Sequence, residues 1–240
     1  MKSFTCASIL LAAIHAQAVS AKIALAHFMV QESYAYTVTQ WKTDIAAAQQ
    51  MGLDGFALNW IPPDCTPDNS LPWQITQIAN AYAAAQGTTF KLMHSFDMSY
   101  TTCNINWNQT FMVNMISKYA QNSAQLMWNN QVLVSTFGGD AAPPYGYQFF
   151  GGLKQMLKDA KVNASLAPAF DGFSIAAQGG NGPTQANQLV NQYTSIDGFL
   201  NCKNHTSPIR FVKADLYQGR RGHPMATISL QRSTLLSKAP

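Results

Sequence analysis

Asp97 sits in the run Phe90-Lys-Leu-Met-His-Ser-Phe-Asp-Met-Ser-Tyr100, in which a mostly apolar stretch leads to a carboxylate and a polar loop follows. A carboxyl group at the end of a buried strand is placed for proton transfer at a protein surface, and sugar hydrolysis is the chemistry it suggests most. Splitting a glycosidic bond takes two such groups, so the other acids matter. Asp54, Asp64, Asp68, Asp140 and Asp171 are the alternatives. Asp97 is the first catalytic candidate, against the plainer reading of a carboxylate that caps the next turn. Asp68 is the second, and like Asp64 it sits in a Pro-rich stretch where a turn-forming Asp is the competing reading. Asp140 follows Gly138 and Gly139 and would either meet substrate or make the turn. Asp54 opens its strand, at the wrong end for chemistry, and reads as structural.

Neutral polar and aromatic residues complete the candidate set. Asn59 is suited to binding a sugar hydroxyl or to capping its loop. His27 lies in mid-strand, as a substrate contact or a core histidine. Trp60, Trp73, Tyr100 and Trp107 fall in or near the same loops, where flat rings stack on pyranose faces; ordinary packing explains any one of them, and together they suggest a cleft. No Cys or His pair has metal-ligand spacing, and no Gly-x-Ser-x-Gly elbow is present.

These residues need a frame that gathers strand ends. Mostly apolar runs at Ile23–Val30, Leu53–Asn59, Phe90–Met98 and Gln131–Phe137 read as strands covered on both faces, and Ser165–Phe173 holds a fifth strand with the start of its loop. Amphipathic helices alternate with them. The first is capped at Thr39, carries Trp41, Ile45 and Ala48 inward and stops at Gly52; the second carries Ile75, Ile78, Ala79 and Tyr82 and stops at Gly87. The third carries Phe111, Met115 and Tyr119, and the fourth Leu153, Met156, Leu157 and Ala160. A short helix at Thr184–Tyr193 and a sixth strand at Ile196–Leu200 follow. Strand alternating with helix predicts right-handed parallel units. An open doubly wound sheet is the rival architecture, but no Gly-rich phosphate loop follows the first strand. Polar residues recurring at strand ends (Asn59, Asp97, Thr136, Asp171) favour an α/β barrel of the (β/α)8 type. A full barrel takes about 250 residues, whereas about 180 carry the pattern, so about five to six βα units are expected, followed by an irregular tail.

Composition sets the compartment. Residues 1–21 read as a secretory leader, with Lys2, an apolar stretch from Ile9 to Ile14 and small residues Val19-Ser-Ala21 before the cut. Residues 22–202 form the partial barrel and 203–240 a basic tail without assignable structure. Residues 1–202 hold eight Lys, no Arg and ten acids, whereas 203–240 hold three Lys, four Arg and one acid. That tail has neither a dense basic run nor an apolar face, so neither nucleic acid nor a membrane span is expected, and a monomer is. Sequons at Asn108, Asn163 and Asn204 fit export to the cell exterior or wall. Beyond the leader three cysteines remain. Cys65 and Cys103 follow the second and third strands, on one face, and are expected to form a disulfide that leaves Cys202 over.

The runs Ala26-His-Phe-Met-Val30, Tyr36-Thr-Val38, Asp54-Gly-Phe-Ala-Leu-Asn59, Ser95-Phe-Asp-Met-Ser99 and Val134-Ser-Thr-Phe137 resemble glycoside hydrolase family 71, the fungal endo-acting α-1,3-glucanases or mutanases. The resemblance covers about Lys22 to Phe173, with a weaker echo to about Asn201. It implies a (β/α)8 barrel that hydrolyses α-1,3-glucan with inversion and needs no metal or organic cofactor. Inversion sets the two carboxyl groups about 6.5–9.5 Å apart, with room for water between. Two departures stand out. Asp171-Gly-Phe173 lacks the aromatic-rich stretch that follows it in the family. The family's later Trp-Asn-Asp-Tyr-Gly-Glu-like motif, with acids central to catalysis, has no counterpart, and Glu32 is the only glutamate. The expectation is a glucanase fragment that is weakly folded and inactive as written, or else a secreted protein that binds glucan without cutting it.

Overall fold

The computed structural model describes residues 23–62, 72–98, 106–139, 147–168, 198–201, 209–213 and 231–237, the last three segments as backbone strands. Strand β1 (Ile23–Met29) runs through a 3-10 turn (Val30–Ser33) to α1 (Val38–Gln50). Then come β2 (Gly55–Trp60), α2 (Pro72–Ala85), β3 (Lys91–Asp97), α3 (Gln109–Tyr119), the two-residue β4 (Met127–Trp128) and β5 (Gln131–Phe137). They are followed by α4 (Tyr147–Asp159), β6 (Ala164–Leu166), β7 (Gly198–Asn201), β8 (Ile209–Lys213) and β9 (Gln231–Ser237).

Six strands run parallel in the order β6-β5-β3-β2-β1-β8. From β1 to β6 every new parallel strand is laid beside its predecessor in one direction. That progression differs from the doubly wound alternative, in which the order reverses. With right-handed crossovers it places all four helices on one face. Residues of all four helices meet Phe28, Phe56, Leu58, Phe96, Val132 and Val134 in one apolar cluster. Alternate strand residues form a smaller second cluster, Leu25, Ala57, Met93 and Leu133 with Leu126 and Ala167. The sheet is not closed among the described residues.

Local chemistry sets the element ends. Thr37, rather than Thr39, caps α1: its hydroxyl accepts from the Gln40 amide while Gln40 Oε1 accepts from the Thr37 amide at 2.8 Å, a reciprocal pair that Thr39, already inside the helix, lacks. Gly52 and Gly87 end the first two helices with φ of 79° and 78°. Gly55 is needed for contact, since a Cβ there would run into the Lys91 carbonyl of the neighbouring strand. Asp54 is structural: its carboxylate accepts from the Ala24 amide at 2.7 Å and ties β1 to the start of β2. Between α1 and α2, Trp41 Nε1 donates to Gln77 Oε1 at 2.8 Å, and Gln77 Nε2 donates to the Tyr36 carbonyl at 3.0 Å. In α2, Ala81, Ala84 and Ala85 are buried together with Ile78 and Tyr82, and the expected Ala79 is only half-buried.

The C-terminal region departs most from expectation. The anticipated sixth barrel strand is β7, and it pairs antiparallel with β9 instead of parallel with β6. The tail, which the sequence left without regular structure, contributes β8 and β9: β8 lies parallel to β1, and β9 is antiparallel to β8. An uncovered parallel edge at β1 is a ready template for backbone pairing, and Ile209-Arg-Phe-Val-Lys213 fills it. The short helix expected at Thr184–Tyr193 lies outside the described residues.

Candidate functional site

The parallel register sets side chains of one face side by side. Met29 pairs with Asn59, Asn59 with Ser95 and Ser95 with Ser135, and one step further along Asp97 pairs with Phe137. Asn59, Ser95 and Asp97 therefore converge at the C-terminal ends of β2 and β3, on the face away from the helices. Their bonds form a line: Ser95 Oγ donates to Asn59 Oδ1 at 3.3 Å, and Asn59 Nδ2 donates to Asp97 Oδ2 at 3.1 Å. Asn59 is fully buried and Asp97 is 6% exposed. A buried carboxylate needs donors to be stable, and the Asn59 amide supplies one. Trp107 Nε1 donates to the Asp97 main-chain carbonyl at 2.7 Å, which pins the strand end below the carboxylate. The positions of Asp97 and Asn59 at strand ends were both legible in the sequence. Ser95 and the buried Ser135 were not singled out, although the two-residue period counted back from Asp97 points to Ser95 and the β3–β5 register to Ser135.

His27 lies half-buried on the same face, with its ring centroid 5.7 Å from that of Phe137. Phe137, at 38% exposure, is a large apolar residue left showing there.

The tryptophans need correction. Trp60 is fully buried on the helix side, its ring centroid 5.4 Å from Phe96, 5.6 Å from Trp107 and 5.6 Å from Phe111. Trp107 is 3% exposed and edge-on to Phe96. Neither offers a ring face to a sugar. Trp60 ends its strand on the parity opposite to Asn59, so the alternation that aims Asn59 at the site turns Trp60 into the core. Thr136 is likewise off the site, its Oγ1 donating to the Gly138 carbonyl at 2.9 Å. Trp73 packs edge-on against the exposed Tyr34. Asp64, Cys65, Asp68, Tyr100, Cys103, Asp140, Asp171, Cys202 and Asn204 lie outside the described residues, and with them the expected disulfide.

Behind the strands His94 is fully buried among aromatic rings, with centroids of Trp60, Phe96, Tyr82 and Tyr119 5.7–5.8 Å away. Neither ring nitrogen finds a hydrogen-bond partner among the described residues. Burial pulls its pKa down to about 3, so it is neutral in the folded protein near neutral pH. Tyr82 stacks on Tyr119 at 4.0 Å and donates to Gln125 Oε1 at 2.7 Å; burial, then Tyr119, pushes its phenol upward. This layer stabilises the fold and takes no part in the site.

A cavity of about 660 Å³ opens at the other end of the strands, between α4 and the starts of β5 and β6, lined by Gln131, Lys154, Lys158, Lys161 and Asn163 among others. It lies at the strand ends opposite to Asp97, and none of its described lining residues is a carboxylate. Among the described residues no group of three His, Cys, Asp or Glu side chains could hold a metal ion, and no helix is long and apolar enough to cross a membrane.

The family model for glycosyl hydrolase family 71 matches residues 20–204. The chain belongs to that family. The match takes in β1 to β7 and every residue of the Ser95–Asn59–Asp97 line, and it ends before β8 and β9. Among curated relatives, a glucan endo-1,3-alpha-glucosidase of Schizosaccharomyces pombe is 38% identical over 128 residues, 52% of this chain and 27% of that protein. A mutanase of Penicillium rubens is 38% identical over 121 residues, 50% of this chain and 25% of that one. An ascus wall endo-1,3-alpha-glucanase of Schizosaccharomyces pombe is 27% identical over 190 residues, 76% of this chain and 38% of that protein. The family 71 chain described here thus spans well under half the length of each of these relatives.

Proposed function

We propose that this family 71 chain acts on α-1,3-glucan outside the cell or in its wall, as a monomer, and that Asp97 is a reacting carboxylate of an inverting hydrolysis. The observation that carries the reading is the buried line from Ser95 through Asn59 to Asp97 at the C-terminal strand ends, within a chain whose relatives bear α-1,3-glucanase names. The one-directional strand order and the helices on one face support a barrel of the (β/α)8 type, in which the polar face of the sheet becomes the interior and its upper rim the site. In such a site Asp97 exchanges a proton with water or with the leaving oxygen, Asn59 holds the carboxylate in one rotamer, and Ser95 fixes the amide. His27 and Phe137 lie on the same face to meet the sugar. The second carboxyl group that inversion needs would come from the loops that carry Asp64, Asp68, Asp140 and Asp171.

The test is incubation of the purified chain with insoluble α-1,3-glucan, with β-1,3-glucan as control. The packed clusters on both faces of the sheet support a folded chain rather than the weakly folded, inactive fragment expected from the sequence, so new reducing ends from the α-linked polymer alone, lost in Asp97→Asn, are expected. Release that survives Asp97→Asn overturns the role of Asp97, and neither binding nor release overturns the substrate. A second reading is binding without cutting, in which the buried Ser95–Asn59–Asp97 line only holds the glucan. Its signature is sedimentation with the glucan and no new ends.

A further inference from the structure

Sequons stand at Asn108, Asn163 and Asn204, and the first two, which the structure describes, differ in their bonding. Asn108 is exposed at the N-cap of α3, and Thr110 is exposed on the first turn. Its Oδ1 accepts from the Phe111 amide at 3.1 Å. That bond occupies the acceptor end of the carboxamide and fixes its orientation, while Nδ2 makes no hydrogen bond among the described residues. Asn163 is exposed too, but both ends of its amide are engaged. Its Nδ2 donates to the Asn130 carbonyl at 3.3 Å, and its Oδ1 accepts from Gln131 Nε2 at 3.0 Å. Ser165, the hydroxyl of that sequon, is buried in β6 opposite Leu133.

We propose that Asn108 carries an N-linked glycan in the native protein and that Asn163 does not. The donor is an oligosaccharide on a lipid pyrophosphate. Asn108 Nδ2 bonds to the sugar C1, the bond from C1 to the pyrophosphate oxygen breaks, one amide proton goes to a base of the transferase, and the lipid pyrophosphate leaves. The product amide keeps its carbonyl and one N–H, so the Phe111 bond survives. At Asn163 the same reaction replaces a hydrogen on the nitrogen held by Asn130 and sets a sugar where α4, β5 and β6 meet. Transfer accompanies folding, so the native structure must accept whatever is attached. At Asn108 the sugar goes onto a nitrogen that bonds no described residue, whereas at Asn163 it must share the nitrogen that holds the Asn130 carbonyl. The glycan at Asn108 stands one residue from Trp107, whose indole holds the Asp97 carbonyl, at the rim of the face where the strand ends gather.

The assignment rests on the export proposed above. The full chain, with its own first residues and Asn204→Gln to remove the third sequon, is expressed in a secreting fungal host. The product is mapped by glycopeptide mass before and after endoglycosidase. One glycan is expected, absent in Asn108→Asp and unchanged in Asn163→Gln. Asn108→Asp keeps an acceptor oxygen for the Phe111 amide, so its unfolding temperature should equal that of the enzymatically stripped parent. Secreted protein with Asn108 bare, or with sugar on Asn163, overturns the assignment alone. Protein kept in the cell with its leader uncut overturns export, and the assignment with it.

Discussion

The two faces of one sheet are built from alternate residues of the same strands, yet they follow opposite rules. Toward the helices, β2 and β3 present Phe56, Leu58, Trp60, Leu92, His94 and Phe96, large groups packed ring against ring. Away from the helices the same strands present Ala57 and Asn59, Met93, Ser95 and Asp97, which grow more polar toward the C-terminal end. Even His94, polar by type, is held neutral by its helix-side position. Whether a polar side chain can do chemistry is thus decided by strand parity, because only one parity reaches the place where strand ends gather.

Substitutions on each face sharpen this contrast. The largest effect is expected at Asp97. Asp97→Asn should lower the release of reducing ends from α-1,3-glucan by about 10²–10⁴-fold, the range for loss of an acid–base group, while the urea midpoint stays close to that of the parent. A large loss of stability with unchanged turnover per folded molecule would move Asp97 into the structural set. Trp60→Ala should do the reverse, costing ~3–5 kcal/mol of stability in urea titration while glucan binding by the molecules that remain folded is unchanged. Selective loss of binding would return that ring to the cleft.

The pH dependence of stability probes the helix side through His94. The unfolded chain takes up a proton on His94 near pH 6.5, whereas the folded chain resists until about pH 3. Between those values the unfolded state binds more protons, so stability falls as pH falls, by ~1.4 kcal/mol for each pH unit within the window. Above pH 6.5 the contribution is fully present and flat. His94→Phe should remove this slope from denaturant titrations run between pH 4 and 7; an unchanged slope would assign it to other groups. The smallest effect is at the first helix. Thr37→Ala should cost ~1 kcal/mol by removing the acceptor for the Gln40 amide, whereas Thr39→Ala should change the midpoint little.

Much of the frame was legible because it is local. The strand at Gln131–Phe137 was found to the residue, since a run of Val, Leu and Phe between turn residues has few other fates. Trp41, Ile45 and Ala48 on α1, and Met115 and Tyr119 on α3, face inward as their spacing requires, whereas Phe111 is half-buried. The two-residue β4 was not legible, because it exists only through pairing with β5. Nor were β8, whose partner β1 lies at the far end of the chain, and β9, which exists only through pairing with β7 and β8. At the site, Asp97 and Asn59 announced themselves by type and position. Trp60 misled because its rank as an aromatic next to a loop says nothing of which way the strand turns it.

The sequence by itself determined the alternation of strands and helices, the end of β3 that carries a carboxylate, and the family, since these depend on residue type and short-range order. Only the tertiary structure decided that Ser95, Asn59 and Asp97 share one hydrogen-bonded line, that Trp60 and Trp107 are buried, and that the tail lies beside β1. Those outcomes depend on register and on which backbone edge remains open, quantities fixed by residues distant in the chain.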